Sequence, residues 1–164
     1  MARSILEYDD FSKQLILAFK HGDQTHLTPI LVKFLTLADP EIFKNVDMIA
    51  PVPLHWKRRF RRQYNQSALL GKALGKQKNI PFEPLVLKRI KNTESQGHKH
   101  QKQRQLNVKG AFKVIKPNLI FGKTVLLIDD VMTTGATINE CAKVLRRAGA
   151  KEVKVLTVYR VITL

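Results

Sequence analysis

Apolar positions along the chain follow two spacings. Val125, Leu126, Leu127 and Ile128 run without a break, which predicts a strand over 124–128 buried on both faces. Short apolar runs predict further strands over 46–52, 85–89, 111–115 and 153–159, with proline at 51 and 53 closing the first of these. Elsewhere the spacing is helical. Phe11, Leu15 and Phe19 share one face of a helix over 9–21, capped by Asp9 or Asp10 and stopped at Gly22. Pro29 fits the first turn of a helix over 28–37, and Asp39-Pro40 ends it. Asn65 caps a helix over 65–77, with Asn79 beyond its end. Ile138, Cys141, Leu145 and Ala148 line one face of a helix over 137–148, and Gly149 is its left-handed exit. Strands alternating with helices predict an α/β domain with a mainly parallel sheet covered on both faces.

The run 125–137, VLLIDDVMTTGAT, carries the chemistry. Asp129 and Asp130 stand at the carboxyl end of the predicted strand, and Thr133, Thr134, Gly135, Ala136 and Thr137 form a small turn before the next helix. Ligands of open α/β sheets bind outside the strand carboxyl ends. A helix N-terminus offers free N–H groups and a positive dipole end to a phosphate. The two acids repel that phosphate, so they suit sugar hydroxyls or a hydrated Mg²⁺ beside it. A plainer role, capping the helix, is also open to them.

Charge narrows the partners. The 164 residues hold 29 Lys and Arg against 13 Asp and Glu, a formal net charge of +16. Such an excess favours polyanions, nucleic acid among them, although solubility alone can also select it. The single cysteine, Cys141, excludes an intrachain disulfide or a cysteine-based zinc site and suits a reducing cytoplasm. No apolar run approaches the roughly 20 residues that span a bilayer, so membrane insertion is not expected.

Two segments resist assignment to the core. Residues 56–64, WKRRFRRQY, interleave Trp56, Phe60 and Tyr64 with Lys57, Arg58, Arg59, Arg61 and Arg62. On a helix the aromatics form one stripe, which can pack inward. Alternatively, the cations hold a pyrophosphate, or cations and an exposed aromatic form a platform for single-stranded nucleic acid. Residues 91–107 are polar but for Leu106 and read as a flexible loop, either a lid over an anion or a solvated excursion.

The run 125–137 resembles the phosphoribosyl pyrophosphate (PRPP) motif of type I phosphoribosyltransferases at all its positions. The likeness extends along the chain to the ComF family, phosphoribosyltransferase-fold proteins associated with DNA uptake. It is carried by Phe19-Lys20-His21-Gly22, Pro51-Val52-Pro53-Leu54, Arg59, Arg62 and Asn65-Gln66. Thr93, Gln96, Arg104, Asn107, Gly110-Ala111-Phe112, Ala148-Gly149-Ala150 and Tyr159-Arg160 complete it. The resemblance implies one type I phosphoribosyltransferase domain over 1–164 with a lid at 91–107. Asp129 and Asp130 would meet ribose hydroxyls or hydrated Mg²⁺, and residues 133–137 the 5′-phosphate. Pro53 and Arg59 would belong to a pyrophosphate loop, and Gln96 and Arg104 would reach inward from the lid. The family's N-terminal four-cysteine zinc ribbon has no counterpart in this sequence, Gln63 replaces a usual glycine, and Lys99 stands where the family lid tends to be apolar. Two functions follow. One is a PRPP-binding protein of DNA uptake that binds single-stranded DNA, in contact with uptake machinery. The other is an active transferase moving phosphoribose from PRPP to a nitrogenous base.

Overall fold

A computed structural model describes residues 1–7, 25–54, 64–91 and 108–161. The helix expected over 9–21 lies outside these residues. Six strands and three α-helices are placed: β1 (Ala2–Glu7), α1 (Thr28–Thr36), β2 (Met48–Pro51), α2 (Gln66–Lys78), β3 (Leu87–Arg89), β4 (Phe112–Val114), β5 (Thr124–Met132), α3 (Ala136–Arg147) and β6 (Glu152–Arg160). Four strands form a sheet in the order β1-β6-β5-β2, every neighbouring pair parallel. The short β3 and β4 pair antiparallel in a separate ribbon.

The apolar run at 125–128 sits where its composition demands. β5 is the inner strand between β2 and β6, and Val125 to Ile128 have no exposed surface. Its alternating side chains feed two cores. Leu126 and Ile128 pack with Leu31 and Leu35 of α1 and Leu70 and Leu74 of α2. Val125 and Leu127 pack with Ile138, Cys141 and Leu145 of α3 and with Phe112 of the ribbon. A sheet buried on both faces explains why the sequence shows unbroken apolar runs instead of alternation.

Local chemistry sets the helix ends. Asn65 accepts from Ser67 N at 3.1 Å as the N-cap of α2, and Asn79 closes it in the left-handed region at φ 53. Pro29 occupies the first turn of α1. Gly149, at φ +97, follows α3, and a Cβ there would lie 2.5 Å from the Phe121 ring.

One expectation needs correction, and one strand was not foreseen. The strand expected over 124–128 continues to Met132, so the acids lie within it and not after it. β1 was not anticipated. Its six residues lack an alternating pattern, yet they pair with β6 from Ala2↔Val155 to Glu7↔Arg160. Ser4 Oγ meets Thr157 Oγ1 at 2.7 Å across that pair, and Arg3 bridges to Asp39 at 3.1 Å.

The sheet is also tied to the chain before β2. Lys154 of β6 is only 6% exposed, and its ammonium donates to the carbonyls of Glu41 at 2.9 Å and Lys44 at 2.7 Å. Those carbonyls belong to the 3-10 turn Pro40–Ile42 and the residues after it.

Helix α2 lies close on β2 because Gly71 and Gly75 face it. A Cβ at 71 would stand 2.8 Å from the Phe82 ring, and one at 75 would stand 2.8 Å from the Ile80 carbonyl oxygen. Glycine-to-alanine changes inside exposed helices stabilise by about 1 kcal/mol. Gly75→Ala should reverse that sign, losing roughly 1–3 kcal/mol from overpacking against a backbone atom. Urea denaturation with an unchanged slope and a lower midpoint would record it.

Candidate functional site

The site begins where β5 outruns β2. The last β2 residue, Pro51, pairs with Ile128, and Val52 N donates to the Ile128 carbonyl at 2.9 Å. Beyond that point, among the described residues, β5 is paired with β6 alone, through Asp129↔Thr157, Val131↔Tyr159 and Met132↔Arg160. Asp129 and Asp130 therefore stand beside a notch left by the shorter strand. Both are half-buried.

Their carboxylates are held by local donors. Asp129 Oδ1 accepts from Ser67 Oγ at 2.9 Å and from Asp130 N at 3.0 Å. Asp130 Oδ1 accepts from Val131 N at 2.8 Å. Ser67 lies in the first turn of α2, so the positive end of that helix faces the Asp129 charge. The same helix start is pinned to β2, because Asn65 Nδ2 donates to the Val52 carbonyl at 3.2 Å. Val52, Asn65, Ser67 and Asp129 thus form a polar link across the notch. Gln66 beside them is 1% exposed, and its Nε2 donor has no acceptor.

After β5 the chain turns into α3 through Gly135, whose φ of 72 lies in the left-handed region. A side chain at that position would strain the turn. The first-turn N–H groups of a helix have no intrahelical acceptors. Gly135, as N-cap, supplies no side chain to them, and Thr134 Oγ1 reaches Ala136 N only at 3.4 Å. Thr133 is exposed, Thr134 and Thr137 are half-buried, and the Ala136 methyl is buried in the core. The turn thus presents N–H groups and hydroxyls a few residues after the acid pair.

Of the other residues singled out in the sequence, Pro53 is half-buried just past the end of β2. Trp56, Lys57, Arg58, Arg59, Arg61 and Arg62, together with Gln96 and Arg104, lie outside the described residues. Among the described residues, no group of three or more His, Cys, Asp or Glu is placed to hold a metal. No helix among them is long and apolar enough to cross a membrane.

Two features escaped sequence reasoning. Ser67 is 62 positions from Asp129 and carries no motif. A groove of about 620 Å³ runs from Pro53 and Asn65 along α2 to β3. Its walls come from four separate segments, 53–54, 64–72, 82–89 and Ile115, so no local pattern signals it.

The parallel sheet of four strands flanked by helices is that of a phosphoribosyltransferase-type domain. The phosphoribosyl transferase domain family matches residues 65–163. The chain belongs to the ComF family of phosphoribosyltransferase-fold proteins. It is 37% identical over 147 residues to competence protein F of Haemophilus influenzae, covering 86% of this chain and 64% of that protein. Competence protein ComFC of Streptococcus pneumoniae is 32% identical over 158 residues, covering 96% of this chain and 67% of that one. DNA utilization protein YhgH of Escherichia coli is 36% identical over 109 residues, covering 66% of this chain and 47% of that protein. The chain thus spans about half to two thirds of the length of these relatives. Two solved structures share the fold. They are the glutamine PRPP amidotransferase from B. subtilis, with TM-score 0.58 and 19% identity over 86% of this chain and 30% of that one, and the adenine phosphoribosyltransferase from Saccharomyces cerevisiae, with TM-score 0.55 and 17% identity over 82% and 69%.

Cys141 reports on this site from below. Burial pushes its thiol well above the usual range, and the nearby Asp129 charge adds to that. A neutral, enclosed thiol is a poor nucleophile. Folded protein should therefore resist a thiol reagent at neutral pH and react fully once denaturant opens α3. Rapid labelling of the native protein would contradict the packing of α3 on β5.

Proposed function

We propose that this is a PRPP-binding protein of the ComF type that acts in DNA uptake and binds single-stranded DNA. The reading is supported chiefly by one observation: the half-buried acid pair of β5 lies immediately before an uncapped helix start at Gly135. Asp130 and Asp129 would accept hydrogen bonds from the ribose hydroxyls. The hydroxyls of Thr133, Thr134 and Thr137 and the N–H groups opening α3 would surround the 5′-phosphate. Pro53, at the carboxyl end of β2, would start the loop that takes the pyrophosphate, with Arg59 as its cation. Gln96 and Arg104 would reach down from the lid over 91–107.

The donor set fits magnesium in one way only. Mg²⁺ is commonly held by one or two carboxylates together with substrate phosphates, keeping several waters. Two adjacent carboxylates with no third ligand among the described residues suit that arrangement, with the ion arriving on PRPP. The bound ion would neutralise pyrophosphate charge. The chain's own contribution is preorganisation. Ser67 and the start of α2 fix the Asp129 carboxylate before ligand arrives, so little ordering is left to be done on binding.

The DNA part of the proposal rests on the +16 net charge and on the names of the relatives, which are competence and DNA utilization proteins. Salt should weaken that binding steeply through counterion release.

Calorimetry of Mg²⁺–PRPP against wild type, Asp130→Asn and Gly135→Ala tests the phosphoribosyl site. Wild type should bind. Asp130→Asn should lose at least tenfold in affinity, since a hydrogen bond to a charged group contributes about 1.5–3 kcal/mol. Gly135→Ala should weaken the cradle through backbone strain of about 1–2 kcal/mol. Absence of heat with all three proteins would overturn the PRPP reading.

A further inference from the structure

The ribbon β3–β4 places two lysines directly opposite one another. Its register is Leu87↔Val114, Lys88↔Lys113 and Arg89↔Phe112. Leu87 and Phe112 are buried and the Arg89 guanidinium lies 5.4 Å from the Phe112 ring centre, so that face turns to the core. Lys88 and Lys113 occupy the other face and are exposed. Like charges directly opposite on neighbouring strands destabilise a ribbon. Neither lysine has an acidic partner among the described residues. An anion lying across the ribbon would relieve the repulsion.

The groove of about 620 Å³ adjoins this face. Its charged lining residues, Lys72, Lys88 and Arg89, are all basic. The rest of the lining is largely apolar: Leu54, Leu69, Phe82, Pro84, Leu85 and Ile115 among others. Leu85 is 52% exposed and Ile115 43% exposed, high values for large aliphatic side chains. At its other end the groove reaches Pro53 and Asn65, beside the phosphoribosyl site.

We infer that this groove, between α2 and β3, together with the exposed lysine pair beside it, seats single-stranded nucleic acid. The inference rests on the DNA-binding reading above and gives it a location among the described residues. A cationic rim over an apolar floor matches an unpaired strand, which presents phosphates on one side and bases on the other. A duplex keeps its bases inside and offers the apolar wall nothing. Lys72, Lys88 and Lys113 take phosphates, and the leucine and isoleucine side chains meet base faces.

Fluorescence anisotropy with labelled oligothymidylate tests it, using wild type and the combined variant Lys72→Glu, Lys88→Glu, Lys113→Glu. The variant should bind at least tenfold more weakly. Its salt slope should fall by roughly 2, given about 0.7 per phosphate contact on a single strand. A matched duplex should bind wild type more weakly than the single strand. Lys113→Glu alone sets a carboxylate opposite Lys88, so it should raise the melting temperature while lowering affinity. That opposite movement separates lost binding from lost folding. Equal binding by wild type and the combined variant would overturn the groove and leave the DNA reading standing. No binding by wild type at low salt, with Mg²⁺–PRPP binding intact, would overturn both. Tighter binding of polyglutamate than of oligothymidylate, lost in the combined variant, would overturn the nucleic-acid assignment in favour of an acidic peptide.

Discussion

The length mismatch between β5 and β2 is the constraint on which the site depends. Over residues 125–128 β5 is paired on both edges and enclosed on both faces, so it has no freedom to shift. Its last residues are paired only to β6. A one-residue slip would turn the apolar set toward the wrong cores and carry the acids with it. The enclosed half of the strand fixes the position of the half that borders the notch. Stability and site geometry are therefore two results of the same pairing.

Helix α2 converts that notch into a shaped site. Asn65 joins its start to the end of β2, and Ser67 joins it to Asp129. The glycines at 71 and 75 let the helix lie close enough for both contacts, since Cβ atoms there would meet Phe82 and the Ile80 carbonyl. Two small residues in mid-helix thus serve a hydrogen bond at the helix start. The intrinsic helix cost of glycine, about 1 kcal/mol each, is offset by the burial that close approach allows.

Whatever the chain encodes within a few residues was readable from the sequence. Asn65 and Asn79 mark α2 to within a residue of its observed ends, since their chemistry is local. The unbroken apolar run gave β5 and its double burial. The order of acids, threonines and Gly135 marked the passage from β5 to α3, because strand, turn and helix are consecutive there. Long-range features were silent. Ser67 becomes informative only once folding brings it across 62 positions. The extension of β5 was hidden because aspartate disfavours strands, and pairing to β6 overrides that preference. β1 was hidden because ARSILE acquires its pattern only beside β6. The groove needs four segments, and no one of them announces a cavity.

Lys154 carries a consequence for how this fold can change over time. Its ammonium satisfies two main-chain oxygens inside the protein, those of Glu41 and Lys44. A shorter or uncharged replacement would give up both of these part-buried hydrogen bonds, at about 1.5–3 kcal/mol for each. The turn before β2 and the middle of β6 are therefore mechanically joined. An insertion at 41–44 that displaced either carbonyl would leave the buried Lys154 ammonium short of an acceptor, so a surface turn is held to the geometry of the core.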